Sequence, residues 1–412
     1  MATIKPFECV RPKKEYVSRI AALPYDVYNR TEALREVQKE PMSFLRIDRA
    51  ETQFDEGVDT YDEKVYQKAH DILWDMIKQG SFEKEAKKCY YVYQLIMNGR
   101  SQTGLVACAS IDDYQNNIIK KHENTREDKE MDRIKHVDTC NAQTGPIFLA
   151  YRSSEIINGL VKNKMKEEAI YDFVAEDNVR HTVWIIADSE SVSVIEQAFQ
   201  VIDQIYIADG HHRAASAVKV GLKRREINPN HIGNEEYNFF LSVLFPDDQL
   251  MILPYNRVIK DLNGYSTIDF LDKVKENFIV EEIGKKSYEP SQKATFGMFL
   301  DDTWYELTAK KHLLSKDAVE GLDVSILQNH LLHPILNIKD PRTDKRIDFI
   351  GGIRGPKELE RRVSEDMKVA FSMYPTKISE LFEVADANKL MPPKSTWFEP
   401  KLRSGLFIHT LE

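Results

Sequence analysis

The chain is poor in the features that most readily place a protein in a class. It has four cysteines in 412 residues, Cys9, Cys89, Cys108 and Cys140, and none stands in Cys-x-x-Cys spacing. Neither a zinc knuckle, a redox pair nor a disulfide framework is signalled, and buried free thiols are expected instead. No apolar run approaches the length needed to cross a bilayer, and the first residues, Met-Ala-Thr-Ile-Lys-Pro-Phe-Glu, lack a hydrophobic signal core. A cytoplasmic location is therefore expected. Basic charge is in deficit, with 57 Lys and Arg against 66 Asp and Glu, for a net charge of −9. That excludes a global field favouring nucleic acid or an anionic membrane and leaves room only for a local basic pocket. The chain has no Ser/Gly linker, low-complexity tract or repeat of fixed period, and its glycines fit neither the Walker pattern nor Gly-x-Gly-x-x-Gly.

What is present is a length sufficient for two or three domains and a regular supply of core-forming residues, 42 % of the total. Helical periodicity is read at 32–39, 61–79, 155–166, 191–198, 267–277 and 377–388. Strands are read at 90–96, 103–111, 145–151, 170–175, 181–187, 237–245 and 278–283, with a hairpin over 295–307. The 90–111 pair reads as a hairpin turning at Asn98-Gly99, with a loop somewhat longer than the tightest type, or equally as two neighbouring strands of a larger sheet. Strands mixed with helices predict an α+β (mixed α/β) body. A division near residue 250 separates a body over 1–250 from a C-terminal α+β lobe over 251–412, expected to pack closely on it.

The most informative stretch is 205–218, Ile-Tyr-Ile-Ala-Asp-Gly-His-His-Arg-Ala-Ala-Ser-Ala-Val. Its periodicity changes midway. Val201, Ile202, Ile205 and Ile207 read as a buried strand, while Ala214, Ala215, Ala217, Val218 and Leu222 recur at helical spacing. Asp209 is expected to cap the helix, Gly210 to permit a close turn, and Gly221 to help end the helix. A helix N-terminus carries unpaired N–H groups and partial positive charge, which suits phosphate, and Arg213 adds a planar fork able to hold two oxygens. His211 and His212 bring groups that titrate near neutral pH. A capped turn with solvated histidines is the plainer alternative. Adjacent histidines on one helix diverge too far to chelate one zinc together.

Other residues are candidates by type and position. His122 and Glu123 would form a proton-transfer pair at a strand end, with Arg126 and Arg133 able to neutralise phosphate; the alternative is a solvated helix with local pairs such as Arg126 and Glu130. The Leu23-Pro24-Tyr25-Asp26 turn could present Tyr25 and Asp26 to a site. Arg257 is a second candidate anion contact, and Lys394, Ser395 and Thr396, stiffened by Pro392 and Pro393, suit a phosphate or carboxylate. His330 and His333 stand at i, i+3 on a helix read over 324–336, but Leu331 and Leu332 favour packing over metal binding.

The run Asp209-Gly210-His211-His212-Arg213, followed by small residues, resembles the signature of the ParB/sulfiredoxin-like superfamily, which includes DNA-segregation proteins and free serine kinases. Over nearly its whole length the chain also resembles the DUF1015 family. The matching pieces are Ala22 to Tyr28, His122-Glu123-Asn124-Thr125-Arg126 with Asp132-Arg133, the central turn, Leu253-Pro254-Tyr255-Asn256-Arg257, and Met391 to Phe398. The resemblance implies a ParB/sulfiredoxin-like core elaborated with further mixed lobes. After the glycine, where sulfiredoxins carry a nucleophilic Cys and segregation proteins commonly Glu, this chain has His211, which sets aside sulfinic-acid repair and weakens DNA partition. Likeness to the free serine kinases implies phosphoryl transfer from ATP or ADP, with Mg2+, to a small hydroxyl-bearing metabolite such as an amino acid. On that reading Gly210, His212, Arg213, Arg126, Arg133 and Lys394 bind the nucleotide. Glu123 is the base, His122 and His211 assist, and Asp209 helps a magnesium ion or the acceptor. A non-catalytic nucleotide sensor would need the same pocket without a base.

Overall fold

A computed structural model describes all of residues 1–412. Two compact units divide the chain, one formed by Met1–Leu250 with Pro400–Glu412 and the other by Met251–Glu399. The final segment, read from sequence as part of the second lobe, thus belongs to the first unit. His409–Thr410 pairs antiparallel with Ala142–Gln143, and single bridges join Val10 to Ile408 and Ala22 to Ser404. No helix is long and apolar enough to cross a membrane.

The first unit is built on a nine-stranded mixed sheet. Its strands lie in the order Ile119–Lys120, Ile205–Asp209, Ile147–Tyr151, Phe239–Pro246, Arg100–Ser110, Tyr90–Met97, Arg180–Ile186 and Tyr171–Val174, with Ile4–Lys5 paired to Arg100–Ser110. Phe239–Pro246 lies inside the sheet and every residue in it is buried, which is why it reads as an unbroken apolar run. The hairpin at Asn98-Gly99 is tighter than the sequence reading proposed. Met97 pairs directly with Arg100, and Asn98 and Gly99 take positive φ of 51° and 77°, the two-residue turn whose twist matches its strands.

Helices Glu63–Lys78, Glu127–Cys140 and His211–Ile227 belong to the same unit. Ser216 in the last donates through its hydroxyl to the Glu130 carbonyl at 3.0 Å, and Arg224 pairs with Asp138 at 3.1 Å, tying this helix to Glu127–Cys140 at both ends. On the sheet side Ala214, Ala217 and Val218 join Ile119, Ile147, Leu149, Ile205 and Ile207 in one buried cluster. Full burial of each large aliphatic contributes about 1.5–3 kcal/mol, so the strand-to-helix junction is anchored on its apolar side.

Three local expectations are corrected. Val201 is 75 % exposed, and neither it nor Ile202 lies in the strand, which begins at Ile205. Gly210 rather than Asp209 occupies the N-cap. Gly221 does not end the helix, which continues to Ile227. A Cβ at Gly221 would stand 2.3 Å from the Tyr237 carbonyl oxygen, so the glycine permits close packing.

The second unit carries a six-stranded antiparallel sheet in the order Phe278–Gly284, Thr303–Ala309, Thr295–Leu300, Val369–Met373, Tyr255–Ile259 and Ile347–Gly351. The helix at Thr267–Asn277 and the 295–309 hairpin match the sequence reading closely. The helix read over 324–336 is instead a short α-helix, Asp323–Leu327, continuing as a π-helical turn over Gln328–Leu332. Together the two units establish the mixed α+β class.

Candidate functional site

The site forms where strand Ile205–Asp209 becomes helix His211–Ile227. Gly210 takes φ 93°, a left-handed conformation that most side chains resist, and contributes no side-chain cap to the helix. Arg213 folds back over this turn. A Cβ at Gly210 would meet its Nε and Nη2 at 3.1 Å, and its other terminal nitrogen donates to the Pro146 carbonyl at 2.5 Å. The glycine therefore serves both the turn and the seat of the guanidinium.

Parallel pairing brings a second segment alongside. Ile119 and Lys120 register with Ile205 and Tyr206, so the residues that follow them run beside the end of the central strand. His122 bonds to the backbone carbonyl of Ile207, and its Nδ1 has no hydrogen-bond partner. The donor is therefore Nε2–H. The His122 and His211 rings meet edge to face with centroids 4.5 Å apart, and His211 Nε2 is also buried without a hydrogen-bond partner. Burial lowers His122 to about 4, partly offset by the bond to Ile207. Burial, aided by neighbouring His122, holds His211 well below its ordinary value. Both rings are neutral at pH 7. Half-buried Glu123 adds a carboxylate, and one ligand atom from each of His122, Glu123 and His211 lies within 4.8 Å of the others.

Asp209 faces the turn from the strand end. Its carboxylate accepts the Gly210 N–H at 2.8 Å and the Lys401 ammonium at 3.1 Å. Partial burial pushes its pKa up, but Lys401 and Arg213 outweigh that and hold it well below the usual carboxylate range.

A profile of the DUF1015 family, described as a protein of unknown function, matches residues 4–325. The chain belongs to the DUF1015 family. No curated protein matches it. Among solved structures, a free serine kinase in complex with AMP aligns at 15 % identity and a TM-score of 0.36, covering 76 % of this chain and 88 % of that one. C-terminally truncated SbnI from Staphylococcus aureus aligns at 10 % identity and a TM-score of 0.38, covering 71 % and 82 %. A conserved hypothetical protein from Pyrococcus furiosus aligns at 14 % and 0.34, covering 73 % and 93 %.

In this DUF1015 chain several residues chosen from sequence as phosphate contacts have partners of their own. Arg126 is exposed and pairs with Asp128 at 2.9 Å, not with Glu130, whose carboxylate accepts from Thr125 at 2.7 Å. His212 accepts the Arg126 backbone N–H at 3.0 Å through Nε2, which fastens the 123–126 loop to the helix. Arg133 is buried, pairs with Asp132 at 2.9 Å and stacks 4.0 Å over the Tyr25 ring. Tyr25 therefore lies beside the Arg133 cation. A cavity of about 30 Å3 lies between Arg133 and Arg213 and includes Asp48, Thr144 and Ser404 in its lining. It has room for a group the size of water, not for a nucleotide.

Lys394 and Arg257 belong to the second unit. Lys394 is exposed at φ 58°, with its ammonium 5.4 Å from the Tyr255 ring centre. Arg257 is buried and donates to the Lys394 carbonyl at 3.1 Å, supporting that turn from within. The Asp209 carboxylate, read from sequence as a metal ligand, accepts from Gly210 and Lys401. The sequence reading missed Lys401 altogether, since nothing local marks a lysine whose partner lies 192 positions away.

Proposed function

We propose that this chain is a nucleotide-dependent phosphotransferase acting on a small hydroxyl-bearing metabolite, such as an amino acid. The reading is carried by the left-handed turn at Gly210, which opens a 17-residue helix without a capping side chain and seats Arg213 beside its first residues. Phosphate at such a helix start gains about 0.3–2 kcal/mol from the backbone dipoles. A charge-assisted bond from a guanidinium adds about 1.5–3 kcal/mol. These terms suit an oxyanion, and an α- or β-phosphate held here leaves the terminal group free to move.

Given the small cavity, ATP or ADP lies across the open side of the turn. Magnesium enters with the nucleotide in this reading, because the Asp209 carboxylate already has two partners. Glu123 takes the proton of the acceptor hydroxyl, and the neutral neighbouring imidazoles keep its surroundings free of competing positive charge.

The test is incubation of the full chain with ATP or ADP, magnesium and a panel of hydroxyl metabolites, followed by detection of phosphorylated products. Product formation with nucleotide consumption is expected. Arg213→Ala should weaken nucleotide binding about 10- to 100-fold, as loss of one charge-assisted contact implies. Glu123→Ala should retain binding and lose turnover. Nucleotide binding without any product would leave a sensor, and absence of nucleotide binding would overturn the reading.

A further inference from the structure

The geometry points to a resident site for a divalent first-row transition metal formed by His122 Nδ1, His211 Nε2 and one oxygen of Glu123. This goes beyond phosphoryl transfer and stands whether or not a nucleotide is the substrate. Three observations carry it.

First, the two imidazole nitrogens are buried polar atoms without a hydrogen-bond partner, on residues only 2 % and 7 % exposed. A buried polar atom left unsatisfied forfeits the hydrogen bond it would make in water, and here two such atoms lie on neighbouring rings. A metal ion satisfies both lone pairs at once. Second, the tautomer of His122 is set for ligation. Its Nε2–H is spent on the Ile207 carbonyl, which leaves Nδ1 as the unprotonated nitrogen, buried beside the His211 ring. A backbone carbonyl behind a histidine is a common outer-shell partner in metal sites. Third, the donors converge. One ligand atom from each of His122, Glu123 and His211 lies within 4.8 Å of the other two. Ligands at about 2.0–2.2 Å from zinc stand roughly 3.4 Å apart in a tetrahedral shell, so small side-chain rotations close it.

The donor chemistry selects the metal. Two imidazoles and a carboxylate suit zinc, iron(II) or manganese, whereas magnesium prefers an all-oxygen shell. Three protein ligands leave a coordination position for water or for an oxygen of the substrate. Helical divergence excludes His211 with His212 as a chelating pair. It does not bear on His122, which arrives from the neighbouring strand.

Zinc and cobalt(II) are the probes, added to the chelator-stripped full chain in the absence of nucleotide. Competition against a chromophoric chelator should show one zinc per chain, and cobalt should give visible d–d bands of a low-coordinate site. Glu123→Ala, His122→Gln and His211→Gln should each weaken zinc binding by tenfold or more and alter the cobalt spectrum. His333→Ala, at an exposed histidine of the second unit, should change neither. Circular dichroism checks the fold of each variant. Should the buried-histidine variants misfold, Glu123→Ala decides alone, because its side chain lies on a half-exposed loop. Absence of stoichiometric zinc binding, or binding and spectrum unchanged in folded Glu123→Ala, overturns the site. A chain that binds zinc but no nucleotide keeps this inference and loses the phosphotransferase reading. The reverse result does the opposite.

Discussion

Lys401 meets the Asp209 carboxylate at 3.1 Å across 192 positions of sequence, with 17 % and 34 % of the two side chains exposed. The pair fastens the final segment of the chain to the turn from which the central helix starts. Lys401→Met leaves Asp209 with Gly210 as its remaining close donor. A stability loss of about 1–2 kcal/mol is expected in chemical denaturation, at the low end for a charged pair because solvent still reaches the carboxylate. A double-mutant cycle with Asp209→Asn should return a coupling of similar size. Additive effects would mean that the contact contributes nothing.

Gly210 carries two demands that an added methyl group violates together. Its φ of 93° is strained for alanine, and the methyl would stand 3.1 Å from the Arg213 guanidinium. Backbone strain alone costs on the order of 1–3 kcal/mol. Gly210→Ala should lower the melting temperature and displace Arg213, weakening ATP or ADP binding beyond what the stability loss explains. Thermal melts and nucleotide titration of the same preparation separate the two effects.

Gly221 tests packing against helix propensity. Inside an exposed helix, Gly→Ala gains about 1 kcal/mol. Here the new Cβ would meet the Tyr237 carbonyl oxygen at 2.3 Å and Ile111 Cδ1 at 2.7 Å. Ile111 can rotate, but the carbonyl is backbone. Overpacking of about 1–3 kcal/mol therefore outweighs the propensity gain, and Gly221→Ala should destabilise. An unchanged or raised denaturation midpoint would show that the two segments separate easily.

Which parts of this arrangement were legible in sequence follows from the range of the interactions. The change of period around Asp209-Gly210 located the strand-to-helix junction, because apolar spacing and glycine act locally. Asn98-Gly99 marked its hairpin for the same reason, although the tight register depends on both residues taking positive φ. The helix capping was misassigned because Asp209 has a competing partner in Lys401, invisible at short range. His122 and His211 were each singled out, but their convergence depends on the parallel register of Ile119–Lys120 with Ile205–Asp209. Two paired residues are too short a strand signal to reveal that register. For Arg126 and Arg133 the sequence left phosphate contact and local ion pairing both open, because the choice of Asp128 and Asp132 as partners is a matter of side-chain direction, which charge pattern alone does not specify.

In the second unit, Asp323 supplies a pH-dependent element of stability. Its buried carboxyl accepts the Ala294 N–H at 2.9 and 3.1 Å, where Ala294 stands at φ 63° beside strand Thr295–Leu300. Burial raises its pKa to about 7; the Ala294 N–H opposes the rise, Glu380 adds to it and Lys293 opposes it. An ordinary aspartate titrates near 3.9 when unfolded, so between that value and about 7 the folded chain holds a proton that the unfolded chain has lost. The resulting stabilisation is full below pH about 3.9 and disappears as pH rises through about 7. Asp323→Asn keeps an amide oxygen for Ala294 and removes the titration. Relative to the natural chain, the variant should therefore gain stability from pH 5 to pH 8, by an amount on the order of a few kcal/mol. Hydrogen exchange in Thr295–Leu300 reads the effect locally: protection of the natural chain should fall more steeply with pH than that of the variant, after correction for intrinsic exchange. Parallel pH profiles would show that Asp323 titrates alike in both states and that the Ala294 turn is held by other means.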